Sequence, residues 1–139
     1  MQPRISVLTL GVKDLKKAVS FYRDGLGWPT EGIVGQDIEN GAVAFFDLQN
    51  GVKLAVWPQE SLAKDTGLAS AAPNNPTAFS LGHNVNSKED VDTAFNKAIE
   101  AGATSVLKPE DKDWGGYGGY FRDPDGHLWE VIWNPELRV

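Results

Sequence analysis

The sequence contains no cysteine, which excludes a disulfide framework, a thiol nucleophile and any thiolate metal site. Basic residues are in short supply: 13 Lys and Arg stand against 19 Asp and Glu, a net charge of -6. An acidic surface attracts neither nucleic acid nor an anionic membrane, so neither is expected as a partner. No apolar run approaches the length that spans a bilayer, and the opening MQPRISVLTLGV is too short and interrupted for a signal peptide. A soluble, cytoplasmic chain is expected.

What remains is one domain's worth of sequence: 139 residues, of which 41% are apolar, enough for a sizeable core. Its chemical capacity is concentrated in residues 114–135, WGGYGGYFRDPDGHLWEVIWNP, which hold three of the five tryptophans, His127 and Glu130. The turn Asp123-Pro124-Asp125-Gly126 makes this stretch a hairpin, because Gly supplies positive φ and Pro stands only outside a ladder. Glu130 then lies between Trp129 and Val131, and a carboxylate in an apolar strand must be neutralised, paired or used.

In chain order, Ile5 to Val12 reads as a strand and Asp14 as the cap of a helix with Leu15, Ala18, Val19, Tyr22 and Leu26 on one face. Gly25, Gly27 and Pro29 stop that helix. Strands follow over Glu31 to Asp37, Ala42 to Leu48 and Val52 to Trp57, the last two joined by Asn50-Gly51, a strong hairpin signal. Residues 59–76, rich in Ala, Pro and Asn, read as a connector with at most a turn or two of helix over Ser61 to Leu68. The pattern then restarts. Thr77 to Val85 is a strand, Ser87 with Asp90 opens a helix carrying Val91, Ala94, Phe95 and Ala98, and Gly102 ends it. Thr104 to Leu107 and the Glu130 hairpin complete the second set, with Asp111, Lys112 and Asp113 as a solvated turn.

This is an internal repeat. Val12 matches Val85 and Asp14 matches Ser87 at an offset of 73; Gly27 matches Gly102, Phe46 matches Phe121 and Gly51 matches Gly126 at an offset of 75. The fold class expected is α+β: two paired βαβββ modules, 4–58 and 77–135, within a single domain, with a curved sheet around a cleft.

With V-K-D-L at 12–15 and F-R-D-P-D-G-H-L-W-E-V at 121–131, the whole chain resembles the glyoxalase, bleomycin-resistance and extradiol-dioxygenase superfamily, the vicinal oxygen chelate fold. The resemblance implies a homodimer. In metal-dependent members each module gives one ligand from its first strand and one from its last. Carried over, these positions are Val7, Ala55, Ser80 and Glu130, so the usual His, Gln or Glu stands at one of the four. Zinc takes about four ligands and hard cations take six or more oxygens. Neither a metal nor another cofactor is therefore expected.

Strand alternation sorts the remaining candidates. Leu128, Glu130 and Ile132 share the cleft face with Lys53, Ala55 and Trp57 and with Ala78, Ser80 and Gly82. Trp129, Val131 and Trp133 face the helices, as do Phe79, Leu81 and His83. His83 reads as a hydrogen-bonded core or rim residue and His127 as a solvated loop residue. Glu130 is the candidate base or hydrogen-bond acceptor, with Lys53 as a possible partner across the pseudo-symmetric strands and Arg122 as a competitor. Trp114, Tyr117 and Tyr120, separated by paired glycines, supply aromatic faces that meet a ligand or pack the sheet edge. The candidate ligand-binding set is Val7, Lys53, Trp57, Ser80, Trp114, Tyr117 and Tyr120, with Glu130 as the catalytic candidate. Two readings follow: a small-molecule binding protein with a degenerate metal site, or a glyoxalase-like lyase, isomerase or dioxygenase that is metal-dependent or uses Glu130 as general base.

Overall fold

Two side-chain caps start the two main helices. Asp14 Oδ1 accepts the Lys17 N–H at 3.1 Å and Ser87 Oγ accepts the Asp90 N–H at 3.0 Å, each satisfying a donor that the first helical turn leaves without an internal partner. The structure, a computed structural model, describes residues 1–3, 5–69 and 79–139. It divides into two compact units, Met1–Ala72 and Pro73–Val139.

The first unit runs β1 (Val7–Val12), α1 (Leu15–Val19), β2 (Thr30–Val34), β3 (Val43–Asp47), β4 (Lys53–Pro58) and α2 (Gln59–Thr66). The helix begun at α1 continues as a π-helical turn over Ser20–Gly25, and Gly27 at φ 76° turns the chain out of it. The strands form one sheet in the order β1-β4-β3-β2, with β1 parallel to β4 and the other pairs antiparallel. The second unit repeats this plan with β5 (Leu81–Val85), α3 (Lys88–Glu100), β6 (Thr104–Asp111), β7 (Tyr117–Arg122) and β8 (Leu128–Trp133), in the order β5-β8-β7-β6. Both units are α+β.

Each sheet buries one face against its own helix. In the first unit Tyr22 and Phe46 are fully buried with ring centroids 5.7 Å apart. In the second, Phe95 of α3 meets Phe121 edge-on at 6.4 Å, and Phe121 stacks on Trp129 at 6.3 Å. Each such buried side chain is worth about 1.5–3 kcal/mol relative to exposure, and these rings fix which face of each sheet meets its helix.

The pairing registers are equivalent in the two units at the offsets read from the sequence. Thr9 lies beside Ala55 as Gly82 lies beside Glu130, and Phe45 opposes Ala55 as Tyr120 opposes Glu130. Both hairpins close between matching positions: Leu48 N–H to Val52 O at 2.8 Å, and Asp123 N–H to His127 O at 3.0 Å. They use different turns, however. Asn50 and Gly51 both have positive φ, whereas in the second hairpin Gly126 alone does.

Several boundaries differ from the sequence reading. Residues 59–66, read as a connector with at most a turn or two of helix over Ser61 to Leu68, form helix α2, which starts two residues earlier and whose Gly67 adopts a left-handed cap at φ 70°. Strand β2 ends at Val34, not Asp37, because Gly35 takes φ 72°. Strand β6 extends to Asp111, so Asp111 is a paired strand residue opposite Tyr117 and not part of a solvated turn. Strand β5 starts at Leu81; the expected Thr77 and Ala78 lie outside the described residues. Among the described residues, no helix is long and apolar enough to cross a membrane.

Candidate functional site

Glu130 sits in the middle of β8, on the face turned away from α3. Its neighbours Trp129 and Val131 are buried at 5% and 1% exposure, while Glu130 itself is half-buried. Tyr120, directly opposite on β7, donates its hydroxyl to Glu130 Oε1 at 2.8 Å. This bond, with partial desolvation, raises the Tyr120 pKa above the ordinary phenol value, because the proton it carries is held by a carboxylate.

The flanking strands leave room around this pair. Gly82 is the β5 neighbour of Glu130, and a Cβ built there would meet nothing within 4 Å. Gly118, opposite Ile132, is different: a Cβ there would collide with Ile132 Cδ1 and the Val131 carbonyl oxygen. One glycine thus opens space beside the carboxylate, while the other permits close packing of β7 on β8.

The other sequence candidates divide by position. Tyr117 alternates with Tyr120 on β7 and points to the helix side, where its hydroxyl donates to Asp92 Oδ1 at 2.8 Å and the Lys88 ammonium lies 5.4 Å from its ring centre. The structure does not bring it to Glu130. Trp114 stands 57% exposed in the turn between β6 and β7, its indole lying so close over Gly116 that any side chain there would collide with it. Ser80 is exposed and precedes β5. His83 neighbours Val131 on the edge strand and keeps an exposed surface, although surrounding protein lowers its pKa by desolvation. His127 is half-buried beside the turn, its backbone N–H donating to Asp123 Oδ1 at 2.9 Å.

In the first unit, Lys53 forms an ion pair with Asp47 directly across the strands, so its partner is Asp47 and not Glu130. Lys53, Asp47 and Phe45 line a concavity of about 290 Å³ with Glu31, Gly32 and Val34, on the face opposite the buried Phe46. Val7, the β1 neighbour of Lys53, is 46% exposed, and Ala55 is 3% exposed. Trp57 is half-buried and its indole N–H donates to Asn40 O at 2.9 Å. Sequence reasoning had not singled out Phe45 and Asp47; the offset of 75 would have found them, because it aligns them with Tyr120 and Arg122.

A sequence model of the Glyoxalase/Bleomycin resistance protein/Dioxygenase superfamily matches residues 4–131. The chain belongs to this superfamily. Its relatives include the uncharacterized protein YraH of Bacillus subtilis, 34% identical over 128 residues that cover 89% of this chain and 93% of YraH. Among solved structures, a glyoxalase-related enzyme from Fulvimarina pelagi matches with a TM-score of 0.83 and 31% identity, covering 99% of this chain and 92% of that one. A lactoylglutathione lyase from Agrobacterium tumefaciens shares the fold at a TM-score of 0.68 and 20% identity, covering 96% of both chains.

The positions that the resemblance implies for metal ligands are Val7, Ala55, Ser80 and Glu130. Two of these side chains are apolar, one is a neutral hydroxyl, and the remaining carboxylate already accepts a hydrogen bond from the Tyr120 hydroxyl. Among the described residues no group of three or more His, Asp or Glu side chains is placed to hold a metal ion. This donor set does not fit a divalent cation.

Proposed function

We propose that this superfamily member binds a small organic molecule without a tightly held metal, beside Glu130 on the face of the second unit turned away from α3. The observation that carries this reading is the Tyr120–Glu130 hydrogen bond. The carboxylate at the superfamily's ligand position is satisfied by a neutral donor of its own sheet, and its companion positions offer no further ligands. Such a pair presents a hydrogen-bond acceptor at Glu130, fixed in orientation by Tyr120, with aromatic surface alongside. A homodimer, which the superfamily resemblance implies, and a cytoplasmic location, expected from the sequence, belong to the same proposal.

A second reading rests on the open space beside Gly82. A carboxylate with an uncrowded approach can also remove a proton from a bound substrate, which makes the protein a metal-free isomerase or lyase with Glu130 as general base.

The test is a thermal-shift screen against metabolites and antibiotics, run on the wild type and on Glu130→Gln. A ligand that binds the native state raises the melting temperature by mass action, and the binding reading expects such a ligand, weakened about tenfold by the substitution. A screen without ligands, or ligands indifferent to Glu130→Gln, contradicts it. Turnover of an identified ligand that disappears in Glu130→Gln favours the second reading.

A further inference from the structure

The face of the second unit turned away from α3 carries one more charged group, Arg122. It lies two residues beyond Tyr120 on β7, on the same face, and opposes Leu128. The side chain is half-buried, yet no hydrogen bond or ion pair ties its guanidinium to another described residue.

The equivalent place in the first unit shows what compensation looks like. There Asp47 occupies the register of Arg122, and the residue opposite it is Lys53, which supplies the counter-charge. In the second unit the residue opposite is Leu128, an apolar wall. Glu130 is diagonal to Arg122 across β7 and β8, and its Oε1 accepts the Tyr120 hydroxyl. A guanidinium on a half-buried residue, with no ion pair among the described residues, can take an anion from outside, and its planar fork matches a carboxylate with two parallel N–H bonds.

Diagonal positions on adjacent antiparallel strands lie roughly 7–8 Å apart, within the reach of long side chains. A single small molecule can therefore meet both Arg122 and Glu130. We propose that Arg122 anchors the carboxylate of a small organic acid on this face, and that Glu130 accepts a hydrogen bond from a hydroxyl or amino group of the same molecule. This rests on the reading of the face as a ligand site and adds its chemical class. Leu128 and Tyr120, between the two polar ends, suit a ligand with an apolar or aromatic body.

Three probes of similar size separate the contributions: mandelate carries both the carboxylate and the hydroxyl, mandelamide lacks the charge, and phenylacetate lacks the hydroxyl. Calorimetric titration of the whole chain is expected to show mandelate binding about tenfold more tightly than either of the others. Arg122→Gln removes the preference for mandelate over mandelamide, and Arg122→Lys, which keeps the charge without the fork, retains part of it. Unchanged melting temperatures establish that both variants are folded. Equal affinity for mandelate and mandelamide, no binding of mandelate, or an Arg122→Gln variant that keeps the preference overturns the proposal. A cationic or neutral ligand that needs Glu130, with mandelate unbound, overturns it while leaving the face a ligand site.

Discussion

At the scale of residues, the Tyr120–Glu130 pair makes a prediction that needs no ligand. Hydrogen bonding to Glu130 raises the Tyr120 pKa, with desolvation adding to it. The protonated phenol is therefore the form that the fold favours. The stability this bond contributes is complete through neutral pH, below the unfolded phenol value, and is lost as pH rises through the raised folded value. An ultraviolet titration of phenolate is expected to show Tyr120 among the late-ionising tyrosines, and Glu130→Gln to shift that component towards the ordinary value. Identical titration curves for the two proteins would contradict the bond. Tyr117 is a built-in comparison: its hydrogen bond to Asp92 also raises its pKa, but Glu130→Gln should leave it unmoved. Glu130 itself was legible as the residue to explain, because a lone carboxylate in the run Leu128 to Trp133 is conspicuous. Its partner was not. Tyr117 and Tyr120 look alike in sequence, and only the alternation of β7 across β8 separates the one that meets Glu130 from the one that meets Asp92.

At the scale of elements, the caps at Asp14 and Ser87 and the stops at Gly27 and Gly102 were readable because each is a local backbone requirement. The ends of β2 and β6 were not, since a strand's length is set by its neighbour: β6 runs on to Asp111 because β7 is there to pair with it. Helix α2 has a further reason. Its buried residue is Ser61, so no apolar stripe announced it. Glycines in strands show how differently one residue type acts in two neighbours of β8. Gly118→Ala places a methyl group against the Val131 carbonyl and Ile132, and is expected to destabilise by about 3 kcal/mol in chemical denaturation. Gly82→Ala points into open space and should change stability by less than about 0.5 kcal/mol, while narrowing the approach to Glu130 and weakening ligands there. Equal costs for the two substitutions would contradict this account of β5, β7 and β8.

At the scale of the whole molecule, the repeat was the most informative feature of the sequence. Its offsets, read from caps and turns alone, hold in the hydrogen-bonded register of both sheets. They equate Ala55 with Glu130, Phe45 with Tyr120 and Asp47 with Arg122, so the two units have one architecture and two chemistries. The first presents a charged pair beside Phe45. The second presents a tyrosine-held carboxylate and an arginine with no counter-ion among the described residues. What the sequence left illegible was how these charges are compensated, because that depends on the residue across the strand and not on the residue beside it in the chain.

If Glu130 binds its ligand without a metal, as proposed, elemental analysis of protein purified without chelators is expected to find nickel, zinc, manganese and iron all well below one ion per chain, with the same result for Glu130→Gln. About one ion per chain in the wild type, lost in Glu130→Gln, would contradict the proposal.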